Sequence, residues 1–162
     1  MVHLVPYATD RGVDPDVAAV LLAVIGGVSV LGRLVLGELG DRFRLKRALG
    51  AMLFLQAVSM VWLSMSTTPL MLWGFTLLFG FSYGGLASLF PLVTAEYFGL
   101  LALGSIFGLV LLGATLGGVI GPWLGGVMFD LTGRYLFAFL SGAGTMSIGL
   151  ILVLKLPGKQ EE

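Results

Sequence analysis

Cysteine is absent and histidine occurs once, at His3. The first absence removes disulfides, thiolate nucleophiles and thiolate metal sites; the second removes any histidine-rich metal centre. Charge is scarce too. Of 162 residues, 11% are charged and 57% hydrophobic, and mean hydropathy is +1.02. A water-soluble domain carries about 25% charged residues because its surface must hydrate. This chain has too little polar surface for that, but enough to decorate the loops of a membrane bundle. Formal net charge is zero, so nothing points to nucleic acid. No metal or cofactor is implied. With no second histidine, no cysteine and no intramembrane aspartate pair, the chain offers no catalytic constellation and does not read as an enzyme.

Long apolar runs are present instead. Crossing a bilayer takes about 20 consecutive apolar residues, and five stretches qualify: 17–37, 48–66, 70–90, 105–129 and 135–154. The predicted fold is therefore all-α, a membrane protein of five transmembrane helices. Asp14-Pro15-Asp16 marks the first start, with proline near the first turn and acids near the positive helix end. Thr67-Thr68-Pro69 is a tight break, Pro91 falls near the end of the third run, and Asp130 to Arg134 turns the fourth into the fifth. Residues 1–9 read as the tip of a preceding span.

Lys and Arg collect in cytoplasmic loops. Arg42, Arg44, Lys46, Arg47, Lys155 and Lys159 lie on one side, against Arg11 and Arg134 on the other. That bias places the first loop and the carboxy terminus inside and the amino terminus outside. The segment between Pro91 and Gly104 also falls inside, with Glu96 and no base.

The 25 glycines sit within the apolar runs, where small residues let helices approach closely. Gly113, Gly117, Gly121 and Gly125 recur every fourth residue and predict a helix-packing seam. Gly32, Gly37 and Asp41 share their spacing with Gly121, Gly126 and Asp130 on a span of opposite direction, the trace an inverted repeat would leave.

The string Gly37-Glu-Leu-Gly-Asp41-Arg42-Phe-Arg44-Leu-Lys46-Arg47 resembles the loop signature of the major facilitator superfamily, with Arg44 where a glycine is usual. Gly108, Gly117, Gly121-Pro122 and Gly125-Gly126 resemble that superfamily's antiporter motif. They stand in the eleventh span rather than the fifth, so they carry no claim of antiport. The strings running from His3 to Asp10, Ala95 to Gly99 and Phe129 to Tyr135 resemble the monocarboxylate and oxalate/formate branch. The resemblance implies spans seven (its end) to twelve, most of a carboxy-terminal bundle. It also implies a partner half of about six helices that is missing here, a bacterial inner membrane, and alternating-access transport of a small solute such as a monocarboxylate or related organic anion. The fragment would be inactive alone.

Arg33 is the one charge inside an apolar run. Two readings are open: it faces a wet cavity, or it snorkels to the headgroups from about one turn inside the boundary. The resemblance implies the first, because an arginine at this place binds the substrate carboxylate in the monocarboxylate branch. The aspartate that accompanies it in part of that family is replaced by Ser29. Tyr83, set among Gly80, Gly84 and Gly85, is expected beside the substrate path, the glycines leaving room for a ligand or a moving helix; Tyr7 and Ser29 complete the predicted binding set. His3, Ser88, Gln56 and Thr115 are further polar candidates for lining a path, the last two read rather as helix hydrogen-bonding groups. The resemblance further implies that Asp41, Arg42, Glu96 and Arg47 close the inner side as gating residues, the alternative being an ordinary solvated cluster. All acids lie at membrane boundaries, so no midplane proton carrier is present in this chain. The rival architecture is a free-standing five-helix assembly or scaffold protein, associating through its glycine faces.

Overall fold

A computed structural model describes residues 4–39 and 44–157. Five helices make up the described chain: α1 (Leu4–Thr9), α2 (Pro15–Leu39), α3 (Leu45–Met65), α4 (Pro69–Thr132) and α5 (Leu136–Lys155). Among the described residues there is no strand.

Local chemistry sets the boundaries. Gly12, at φ 77°, turns α1 into α2, and the Asp14 carboxylate accepts from the Asp16 amide at 2.9 Å, capping the amino end of α2. Thr68 caps α4 in the same way through Met71, with Pro69 in the first turn, where its missing N–H costs nothing. Gly133 closes α4 in the left-handed conformation, and its amide bonds to Phe129 O.

The third expected span differs from the structure in one respect. The helix does not stop near Pro91 but runs through it to residue 98, and residues 91–98 and 100–104 are helical rather than a loop. Proline deletes one backbone bond, while leaving lipid-buried amides unpaired beyond it would cost several kcal/mol each, on the order of the price of unsatisfied groups in hydrocarbon. The interruption falls instead at Gly99, whose φ of 76° and ψ of 165° are open essentially only to glycine. α4 is thus two arms, 69–98 and 100–132.

The directions of the helices follow from side-by-side contacts. Ile25 lies against Gly80, Ser29 against Gly84, and the Ser88 hydroxyl donates to Arg33 O at 3.2 Å, a constant offset of 55 positions. α2 and the first arm of α4 therefore run parallel. Pairings of α3 with α4 (Gln56 with Ser82, Trp62 with Met71) and of α3 with α5 (Gly50 with Leu150, Met60 with Gly142) run in opposite order, so these are antiparallel. Gly99 at one end and the Phe129–Tyr135 ring stack at the other return the second arm across the bundle. α2, the first arm of α4 and α5 thus run one way and α3 the other, the alternation a multi-pass membrane protein requires.

Two apolar clusters hold the bundle. One joins α1, α2, α3 and the first arm through Tyr7, Leu21, Ile25, Leu63, Leu72, Phe75 and Phe79. The other, near the basic end, joins Leu36, Leu49, Leu53, Leu86, Leu89 and Val93. The second arm of α4 is mostly exposed, residues 111–121 throughout.

Candidate functional site

The contact between α2 and the first arm is unusually close. A Cβ placed on Gly84 would fall 1.9 Å from Ser29 O, one on Gly32 2.2 Å from Phe81 O, and one on Gly80 2.9 Å from Ile25 O. Gly80 and Gly84 form a small-xxx-small pair, which lets backbones meet directly. Of the two expectations for the glycines around Tyr83, room for a ligand or for a moving helix, the first is corrected: the helix α2 fills the space at Gly80 and Gly84, and Met52 and Leu36 fill it at Gly85. The GxxxG spacing was the available signal.

That seam orients the predicted binding residues. α3 lies against the Ser82–Gly85–Leu89 face of the first arm, where Ser82 donates to Gln56 Oε1 at 2.6 Å. Tyr83 is about 160° around the helix from Gly85 at 100° per residue, so it points away from α3. On parallel α2, Gly32 marks the contact with α4 and Arg33 lies one step round. With both helices parallel, this step carries Arg33 to the same open side as Tyr83. Both residues are exposed, and among the described residues the Arg33 guanidinium has no ion-pair partner. Ser29 is buried at the seam, its hydroxyl donating to Gly26 O at 2.7 Å.

Tyr7 is placed differently. It is 2% exposed, and its hydroxyl donates to Leu63 O at 2.7 Å and Ser66 O at 3.1 Å. Its ring meets Tyr135 and Phe139 edge-on, and Arg11 sits 3.7 Å over its face. With its proton committed to carbonyls at the end of α3, Tyr7 is a clasp between α1, α3 and α5 rather than a group offered to a solute.

At the basic end Lys46 Nζ donates to Leu156 O and the Tyr97 hydroxyl to Pro157 O at 2.9 Å, tying the end of α5 to α3 and α4. Arg47 is exposed. Glu96 stands near the end of the first arm, and its Oε2 is buried without a hydrogen-bond partner among the described residues. Asp41 and Arg42 lie outside the described residues.

Gly113, Gly117 and Gly121 have no atom within 4 Å of a prospective Cβ, whereas Gly125 is buried. Within this chain, then, most of the predicted packing seam is uncovered. Gln56 and Thr115 make the helix hydrogen bonds expected of them, Thr115 to Leu111 O at 2.8 Å. A groove of about 380 Å³ between α3 and α5 is lined by apolar residues such as Phe54, Trp62 and Leu150 and lies apart from Arg33. Among the described residues no three acidic or histidine side chains come together to hold a metal.

Known proteins are similar to this chain. Monocarboxylate transporter 12-B of Danio rerio is 34% identical over 157 residues, covering 93% of this chain and 33% of its own length. Monocarboxylate transporter 12 of Rattus norvegicus is 35% identical, covering 94% and 32%. Monocarboxylate transporter 13 of Bos taurus is 31% identical, covering 96% and 37%. The chain spans about a third of the length of these relatives. The profile of the Major Facilitator Superfamily matches residues 1–162, the whole chain, and the chain therefore belongs to the Major Facilitator Superfamily.

Proposed function

We propose that the chain forms part of a carrier that moves a small organic anion, of the monocarboxylate class, across a membrane by alternating access. The observation that carries this reading is Arg33: one cation within an apolar span, exposed, and turned with Tyr83 to the side of the bundle that α3 does not cover. A charge at the centre of a span costs about 3 kcal/mol on insertion scales, and one held inside the boundary is eased by water, protein or an anion. A carboxylate would pair with it through two parallel charge-assisted hydrogen bonds. The names of the relatives fit the same solute class.

In this reading Arg33 anchors the carboxylate and Tyr83 contacts the rest of the solute, while Ser29 holds the seam that fixes Arg33. Asp41, Arg42, Arg47 and Glu96 form the closure at the basic end, biasing one of two access states. The orphaned Glu96 oxygen supports it, because a buried carboxylate calls for a donor. The basic end faces the cell interior and the other end the outside. The uncovered face of the second arm, at Gly113 and Gly117, is where a further helical bundle would seat.

Uptake of labelled small carboxylates into cells expressing the natural protein, with and without Arg33→Lys, tests this. Lysine keeps the charge but loses the planar fork, so uptake should drop at least tenfold. Unchanged uptake and affinity would return Arg33 to a headgroup contact.

A further inference from the structure

The face that carries Arg33 also ends a ladder of rings. Phe75 and Phe79 stand 5.2 Å apart at 35°, and Phe79 and Tyr83 are stacked at 6.0 Å and 11°. The first two rings are buried, but Tyr83 is 48% exposed, so the ladder stops on a ring with one free face. Tyr83 lies about 21 Å into its helix from Pro69. That is mid-membrane, not the interfacial belt where tyrosines ordinarily serve lipid headgroups. Among the described residues its hydroxyl makes no hydrogen bond. A phenol at such depth, without a partner, fits a wet, solute-binding face better than a lipid-facing one.

The distance to Arg33 is set by the seam. Arg33 is level with Ser88, five residues and about 7.5 Å along the axis from Tyr83. Side chains on both parallel helices lean toward their amino ends. The guanidinium therefore reaches toward the level of Tyr83, and Tyr83 leans onto Phe79. Between them on this side lies Ala87, exposed and small. The space fits a molecule with a carboxylate at one end and a flat group a few bonds away.

We propose that the preferred solute is an aryl monocarboxylate, its carboxylate held by Arg33 and its ring stacked on the free face of Tyr83. This rests on the carboxylate-carrier reading above and narrows it. Phe79 holds the Tyr83 ring from behind, so stacking loses little rotamer freedom.

Pyruvate and phenylpyruvate share one head group and differ by one ring, so they separate the two claims. Uptake is measured with the natural protein reconstituted in vesicles. Phenylpyruvate should show a KM at least tenfold below that of pyruvate. Tyr83→Ala should raise the phenylpyruvate KM about tenfold and the pyruvate KM less than threefold; Tyr83→Leu, which keeps apolar bulk, should behave like alanine, and Tyr83→Phe should retain the wild-type preference. Equal affinity for both acids, or equal shifts on both in Tyr83→Ala, overturns the aryl assignment while Arg33→Gln still abolishes uptake of each. Transport of neither acid, together with no effect of Arg33→Gln on any solute carried, overturns the underlying carrier reading as well.

Discussion

A methyl group on Gly84 would collide with the backbone carbonyl of Ser29, at 1.9 Å. α2 and the first arm of α4 are thus joined backbone to backbone, with Gly32 and Gly80 repeating the contact on either side and Ser88 bonding across it to Arg33 O. Interfaces of this kind exchange between discrete arrangements rather than deforming smoothly. Arg33 and Tyr83 are carried by the two helices of this close pair.

Gly84→Ala should therefore be severe. Neither partner atom is a flexible side chain, so the helices must separate, at a cost of about 1–3 kcal/mol or more. Gly113→Ala, where nothing lies within 4 Å, should change stability by less than about 0.5 kcal/mol in this chain. Thermal unfolding in detergent, followed by size-exclusion recovery, compares the two. Equal melting temperatures would refute the seam.

Tyr7→Phe keeps the edge-on contacts with Tyr135 and Phe139 but deletes the donor to Leu63 O and Ser66 O. A buried neutral hydrogen bond contributes about 1 kcal/mol. The variant should lose about that much stability, while carboxylate affinity stays within twofold. A selective rise in KM without loss of stability would instead restore Tyr7 to the solute path.

Much of this arrangement was legible in the residues. The apolar runs around Arg33 and between Ala48 and Ser66 fixed two helices closely, because lipid forces every backbone group into a helix and the loops must be polar. Pro91 misled about the end of the third span, since a proline in lipid is tolerated where the following residues stay helical, and only Gly99 could adopt the breaking conformation. The glycines were visible but their partners were not. The sequence pattern favoured Gly113 to Gly125, the longest regular spacing, of which only Gly125 is buried, whereas the close contact uses Gly32, Gly80 and Gly84. Which glycine meets which backbone is a matter of register between distant segments, and a single chain does not reveal it. Arg33 was evident as a lone intramembrane charge; its shared side with Tyr83 required the parallel register.

Gln56 and Ser82 supply a second test of register. Their bond, 2.6 Å and buried, crosses between antiparallel helices at mid-span. Intramembrane pairs of this type average about 0.6 kcal/mol in double-mutant cycles, reaching about 1.7. Gln56→Leu, Ser82→Ala and the double variant should give a coupling energy in that range by reversible unfolding. Additive effects would mean the helices are out of register.

Alkaline pH should loosen the end where α5 begins. Tyr135 is raised above the ordinary tyrosine value by burial first, then by the charge of Asp10 and a hydrogen bond to it. The unfolded chain releases this proton near pH ~10, the folded chain only above that. Past about pH 10 the unfolded state binds fewer protons, so stability falls as pH climbs; below that it is fully retained. Tyr135→Phe should flatten part of this alkaline limb in melting curves between pH 8 and about 11. An identical limb in the variant would assign it elsewhere.

Glu96 Oε2 is buried with no hydrogen-bond partner among the described residues, three positions before the break at Gly99. A buried acceptor left unpaired costs about 1–3 kcal/mol, more when charged. A cation is the natural remedy, and Arg42 follows Asp41 in the basic sequence between α2 and α3. If the two pair in the closed state and part in the open one, losing either partner shifts the same equilibrium. Glu96→Gln and Arg42→Gln should each increase labelling of a cysteine placed at Ser88 by an impermeant maleimide added from the basic side, by about tenfold for a 1.4 kcal/mol shift. The double variant should go no further than the single ones, since a broken pair cannot be broken twice. Additive labelling, or none, would leave the loop charges as a solvated cluster with no part in gating.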